Sequence, residues 1–248
     1  MAILWLKTVN GTHYEVRTAG QSRRLYSDGV FHSQYNPARP VTGTLWDLLM
    51  LPAFFSVQGS IKRVLVLGLG GGTVVRQLLH FVRPAHIVCV EIDPVHIIIA
   101  RRFFGVTQEN AEVHQADAQR WLECYKGPRF DMIIDDLFGE HQGQPRRAID
   151  ANAQWFTRLT RHLAPTGTLA VNFVSRHEMY RSGYFSSSAV TRRFKTAFQL
   201  TDPLCSNAIG VFLRQHTSSA KLRDRLKVTP GLSTALKNGK LRYRIRRM

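Results

Sequence analysis

Cysteine is scarce: the 248 residues hold three, Cys89, Cys124 and Cys205, widely spaced and odd in number. That count excludes a disulfide framework, and the lack of a CxxC pair excludes a cysteine metal clip. The ten histidines form no HxH or HxxxH pair, so no metal site is expected. Long apolar runs are missing too. The longest apolar-rich stretches, such as Ile61–Leu69 and Ile97–Ala100, fall far short of the roughly 18 to 20 residues a membrane span needs. Met1–Lys7 has no basic segment ahead of an apolar one and no small-residue cleavage site, which makes the cytoplasm the expected compartment. Acidic residues are the last shortage, 17 against 34 Lys and Arg for a net charge of +17. The imbalance is local: residues 1–140 carry 14 basic and 13 acidic side chains, residues 141–248 carry 20 and 4. The basic C-terminal half is expected either to contact polyanions such as nucleic acid, by steering that salt screens, or to be a solvated surface.

What is present divides the chain into four. Residues 1–36 read as a small β module, because apolar and β-branched stretches are broken by Asn10-Gly11, Ala19-Gly20 and Asp28-Gly29, dipeptides suited to tight hairpins. Residues 37–59 are a connection whose Leu45–Leu51 cluster suggests a helix ending at Pro52. Residues 60–215 alternate strands with helices, the pattern of a doubly wound, mostly parallel sheet closed by an antiparallel hairpin about Ser206-Asn207. Helices are expected over 148–163 and 187–198. Residues 216–248 form a basic tail whose Leu241–Arg246 alternation suits an edge strand, a disordered arm, or an arm that orders on a polyanion.

The chemistry concentrates at strand ends. Val64–Leu67 runs into Gly68-Leu69-Gly70-Gly71-Gly72-Thr73, where glycines let the backbone turn tightly and approach a ligand at a helix N-terminus. Twenty-three residues after Gly68 comes Glu91-Ile92-Asp93, placed to accept ribose hydroxyls. Asp117-Ala118 follows the third strand and Asp135-Asp136 the fourth. Acids repeated along one rim repel a dinucleotide's pyrophosphate but suit S-adenosylmethionine and its relatives, which lack phosphate and carry a cationic sulfonium. Taken singly, Glu91 and Asp117 also read as strand-end or cap residues. Asp135 is expected to be the base or orienter of an attacking nucleophile, with Asp136 second; Asp131 reads as structural. Gly143–Arg147 falls where a substrate lid would sit, with arginines to meet an acidic substrate, and reads equally as a solvated loop.

From about Asp28 to Leu213 the sequence resembles the spermidine synthase (polyamine aminopropyltransferase) family. The resemblance rests on Asp28-Gly29-Val30, Val64–Arg76, Val90–Asp93, Gln115–Ala118, Phe130–Asp135 and Asn207–Val211. It implies a class I methyltransferase-like α/β sheet behind a small β module, a homodimer, and Gly68, Gly70, Gly71, Gly72, Glu91, Asp93, Asp117 and Ala118 around the cofactor. It also implies S-adenosylmethionine or its decarboxylated form as cofactor, with methylthioadenosine as a product or ligand. The departures fall on acids. Gly71 stands where the family has the aspartate that holds the cofactor's amine, and Phe138 and Gly139 replace an aspartate and a proline of its gatekeeping segment. The tyrosine and acidic residue expected ahead of the glycine loop lack clear counterparts around Thr44–Asp47, where Asp47 is the one candidate acid. The leading expectation is therefore a transferase of an aminopropyl or methyl group to an unidentified acceptor. Two others stand beside it: a methyltransferase on an anionic or nucleic-acid-associated substrate, although no Asn/Asp-Pro-Pro-Tyr/Phe motif occurs, and a non-catalytic binder of adenosyl metabolites.

Overall fold

The computed structural model describes residues 1–141 and 144–248. Strands β1 (Ala2–Val9), β2 (Thr12–Ala19), β3 (Ser22–Ser27) and β4 (Val30–Tyr35) form an antiparallel sheet in that order. At the turns Asn10-Gly11 and Asp28-Gly29 both residues take positive φ, 51° and 85° in the first and 46° and 78° in the second. That twist suits a two-residue hairpin. Tyr14, Val16 and Leu25 bury against Val95, Ile99, Phe103 and Phe104, which fixes this sheet to the larger domain. The connection holds α1 (Leu45–Met50), and Pro52 does not stop the chain's helical course. It sits in the first turn of a 3-10 segment, Leu51–Phe55, where its missing N–H costs nothing.

Beyond it come β5 (Arg63–Leu67), α2 (Thr73–Phe81), β6 (His86–Glu91), α3 (Pro94–Phe103), β7 (Glu112–Gln115), α4 (Ala118–Cys124) and β8 (Phe130–Asp135). A hairpin of β9 (Phe138–His141) and β10 (Gln144–Arg147) occupies the expected lid position; Gly143 of that segment lies outside the described residues. Helix α5 (Ala153–His162) starts five residues later than expected because Asn152 caps it, accepting from the Trp155 amide. Then follow β11 (Leu163–Phe173), α6 (Arg176–Tyr180), α7 (Gly183–Ser186) and α8 (Ser188–Thr191). The helix expected over 187–198 shrinks to the single turn α8. Thr196–Thr201 is wholly buried and rich in β-branched and aromatic side chains, and it enters the sheet as β12. β13 (Ala208–Leu213), α9 (Ser219–Val228), α10 (Leu232–Lys237) and β14 (Arg244–Arg247) complete the chain.

The large sheet runs β14-β12-β13-β11-β8-β5-β6-β7, parallel from β11 to β7 and antiparallel from β11 to β14. Alternate residues of β5 serve opposite faces: Val64 and Val66 join one core with Leu78 and Leu222, Leu65 and Leu67 the other with Trp155 and Phe156. Residues 216–248 are not a loose arm. Leu222, Leu226, Leu232, Ala235 and Leu241 enter the first core, and β14 is the edge strand. The chain steps from β5 outward to β6 and β7, then returns to β8 on the other side, so strand order reverses between β5 and β8, where open sheets of this type bind ligands. No helix among the described residues is long and apolar enough to cross a membrane.

Candidate active site

At the switch point the glycine loop and the end of β8 touch. The Asp136 amide donates to the Leu67 carbonyl at 2.9 Å, and Gly68 has φ +86° with no room for a side chain, since a Cβ would lie 2.2 Å from the Asp136 carbonyl oxygen. Glu91, buried at the end of β6, closes on the loop: one carboxylate oxygen accepts from the Leu69 and Gly70 amides at 2.9 Å each, the other from the Asp93 amide at 3.0 Å. The Gly71 amide donates to Ser33 Oγ of β4 at 2.7 Å. Three of the loop's outward N–H groups are thus satisfied from inside the protein.

Asp93 caps α3, accepting from the Val95 amide, and its second oxygen accepts the Tyr14 hydroxyl at 2.8 Å. Burial, with the bond to Asp93, pushes that hydroxyl up to about 12. Asp93 thereby ties the β module to the sheet. Beside it His96 is buried, 2.8 Å from Ser27 Oγ and about equally near the Glu91 and Asp93 carboxylates, at 4.0 and 3.8 Å. His32 of β4 stacks obliquely on His96, and its burial, reinforced by His96, pushes it down to about 4. Sequence reasoning missed this Tyr14–Ser27–His32–His96 group. The i,i+3 spacing of Asp93 and His96 was the only local signal, and the other three come from a different sheet.

Asp117 follows β7, is half-buried, and caps α4 by accepting from the Arg120 amide at 3.0 Å; Ala118 is buried behind it. The Ala116 amide bonds the Glu91 carbonyl, so the ends of β6 and β7 adjoin.

The structure sends the paired aspartates to different partners. Asp135 is fully buried. One oxygen takes both the Arg147 guanidinium and the Trp155 indole N–H at 2.8 Å, and the other has no hydrogen-bond partner among the described residues. Arg147 also donates to the carbonyls of Ile149 and Asn172 and lies against the rings of Phe138 and Phe173. Such an enclosure suits a structural tie for Asp135. Asp136, one residue on, turns the other way. Its carboxyl accepts from Asn172 Nδ2 at 2.7 Å, Asn172 Oδ1 accepts from Asn207 Nδ2 at 3.0 Å, and Asn207 Oδ1 from the Cys205 thiol at 3.0 Å. Burial pushes Asp136 up to about 6; Asn172 and Arg147 oppose the shift and Asp135 adds to it.

Other acids are spoken for. Asp47 is buried, accepts from the Thr42 and Gly43 amides and from Gln77, and burial raises it. Asp131 accepts from the Lys62 and Arg63 amides at the far end of β8. A side chain on the glycine loop would crowd its neighbours. A Cβ at Gly71 would lie 2.7 Å from Ser33 Cβ and 3.0 Å from the Phe104 ring, and one at Gly70, with φ +52°, would lie 3.0 Å from Ser33 Oγ. Among the described residues no three His, Cys, Asp or Glu side chains are placed to hold a metal ion.

Fold and rim together define an α/β protein of the class I methyltransferase type. The family model for the spermine/spermidine synthase domain matches residues 47–207, about two thirds of the chain, and the protein belongs to that family. Polyamine aminopropyltransferase 2 of Ralstonia nicotianae is 26% identical over 196 residues, covering 66% of this chain and 38% of that protein. A polyamine aminopropyltransferase of Vibrio vulnificus is 32% identical over 123 residues, 48% of this chain and 40% of the relative. The chain thus spans about two fifths of the length of these relatives. The crystal structure of a probable spermidine synthase from Corynebacterium glutamicum superposes with a TM-score of 0.73 at 17% identity, covering 100% of this chain and 91% of that one. Human methyltransferase-like protein 13, solved in complex with SAH, gives 0.61 at 19%, covering 77% and 91%.

Proposed function

We propose that the protein is a transferase that binds S-adenosylmethionine or its decarboxylated form along the rim and transfers a methyl or aminopropyl group to an acceptor brought to Asp136. One observation carries this reading: the Glu91 carboxylate and Ser33 already fill the N–H cradle of the glycine loop. A phosphate would find the Leu69, Gly70 and Gly71 amides already engaged and would face an anion there. A ligand without phosphate, offering ribose hydroxyls and an adenine amine as donors and a cationic sulfur, fits what remains. Three of the roughly four acceptor positions of Glu91 are occupied, which leaves capacity for a hydroxyl. Glu91 would take the ribose, Asp117 and Ala118 the adenine, with Gly68, Gly70, Gly71 and Gly72 giving close backbone approach and Asp93 bracing Glu91 from behind.

When bound, the sulfonium supplies an electrophilic carbon whose bond to sulfur breaks as the acceptor's electron pair attacks. The chain's own task is proton handling and alignment. Asp136, anchored through one oxygen by the Asn172–Asn207 amide pair, presents the rest of its carboxyl to the acceptor and takes the proton the nucleophile loses. With glycine at 70 and 71 the loop lacks the acid that the family resemblance assigns to the cofactor's amine, which supports methyl transfer as the first reaction to assay. The apolar strip Ile3, Leu4 and Leu6, exposed on the edge strand β1, supports a homodimer.

Calorimetry with methylthioadenosine and with S-adenosylmethionine tests the pocket: wild type binds, and Glu91→Gln and Asp117→Ala each bind at least tenfold more weakly. Equal affinity in wild type and both variants would remove the reading. Mass spectrometry of turnover mixtures then separates the group transferred, by S-adenosylhomocysteine formed from S-adenosylmethionine or methylthioadenosine formed from the decarboxylated cofactor.

A further inference from the structure

Residues 216–248 hold ten Lys and Arg and one acid, Asp224. Their fold sorts these cations. Because Leu222, Leu226, Leu232, Ala235 and Leu241 are committed to the core, the polar faces of α9 and α10 must look outward. Arg242 is used internally, on Asp202 at 3.2 Å and on the Gly43 carbonyl at 2.8 Å, and Arg225 reaches Gln58. Seven cations remain exposed without an ion-pair partner among the described residues: Arg223, Lys227, Lys237, Lys240, Arg244, Arg246 and Arg247. Charges on β14 alone would be explained by protection of an open sheet edge against pairing with another chain. That account does not reach the four on and just beyond the two helices, which protect no edge.

We infer that β14 with the outer faces of α9 and α10 is a docking surface for the phosphate backbone of nucleic acid. Charge complementarity is the first support, since the seven exposed cations of this cap meet no acidic partner among the described residues. Spacing is the second. Arg244 and Arg246 lie on one side of a strand, about 7 Å apart by strand geometry, a spacing on the scale of one phosphate to the next along a nucleic-acid strand. Guanidinium groups are also matched to phosphate oxygens in pairs. A membrane surface fits less well. The apolar faces of both helices are consumed by the core, and Val228 is the only large apolar side chain standing exposed in the segment, so there is nothing to insert. Contact through backbone phosphates implies binding without sequence preference. Arg244 pairs with Thr201 at the end of β12 that shares the catalytic rim, so a bound strand would pass beside the active-site edge of the sheet.

Deleting the segment would unfold the core, so point substitutions of the full chain are the test. Fluorescence anisotropy with a labelled 20-nucleotide RNA and a 20-base-pair DNA is read over a salt series. R244Q/R246Q/R247Q should lower the slope of log affinity against log salt by about two to three, at roughly 0.7 to 0.9 for each phosphate no longer neutralised. The control triple K7Q/K62Q/R101Q, exposed cations elsewhere, should leave the slope within about one of wild type. Equal loss in both triples reduces the effect to bulk charge and overturns the proposal. So does a wild-type chain that binds phosphatidylserine vesicles but neither nucleic acid, or one that binds nothing.

Discussion

Replacing Arg147 with methionine should destabilise the protein more than almost any other single change of comparable size. Its guanidinium is 1% exposed, and it faces an Asp135 side chain that is 0% exposed. Removing one partner of such a pair strands the other charge in the core, a loss of about 3 to 5 kcal/mol. The carbonyls of Ile149 and Asn172 lose their donor in the same step. For a chain of this size each kcal/mol moves the melting temperature by roughly 2 to 4 °C, so a fall of about 6 to 20 °C is expected. Urea unfolding followed by circular dichroism gives the same quantity as a shift in midpoint at constant slope. The double variant Asp135→Leu/Arg147→Met removes both charges and should recover most of the loss, because burying a pair gains little over burying apolar groups of similar volume. A single variant within about 1 kcal/mol of wild type would refute the assignment of Asp135 to structure and return it to the reaction centre.

The neighbouring Asp136 makes a prediction about pH. Its folded-state value lies above the unfolded carboxylate range, so its contribution to stability is complete below that range and is lost as pH rises through about 6. Asp136→Asn should therefore gain on wild type between pH 4 and 7, by on the order of 2 kcal/mol in chemical denaturation; a constant difference across that range counts against the burial argument. Asn172→Leu deletes the bond that holds the carboxyl down, so the Asp136 titration seen by carbon-13 NMR should move above 6, and the acid limb of any transferase activity should move with it. Gly68→Ala should cost more than Gly71→Ala in thermal melts. The first forces a Cβ to 2.2 Å from a backbone oxygen at φ +86°, whereas the second meets side chains that can shift for about 1 to 3 kcal/mol. If β1 carries a dimer interface, light scattering of Leu4→Glu/Leu6→Glu will show a monomer where wild type shows twice the mass; the same mass for both chains removes that interface.

The amino-acid sequence by itself determined the local pieces. Asn10-Gly11 and Asp28-Gly29 specify hairpin turns because few other residues tolerate two consecutive positive φ angles. The run Val64–Leu67, the glycines after it and the acids at 91, 117 and 135–136 specify a doubly wound sheet with a carboxylate-rich rim, because burial on both faces and a backbone turn at a helix start leave their own composition behind. Only the tertiary structure decided what each acid touches. Neighbours on a strand point to opposite sides, so one of Asp135 and Asp136 must face inward. Which one depends on Arg147 and Trp155, delivered by a hairpin and a helix 12 and 20 residues away. Likewise Glu91 reads as a ribose ligand in sequence, but its grip on the loop amides, and the Ser33, His32 and Tyr14 packed around it, come from elements whose placement no spacing encodes. The basic segment shows the same limit. Its charges are plain in composition, yet five apolar side chains spread over twenty residues turn it from a tail into a folded cap, because their burial is favourable only where the first core offers a surface to receive them.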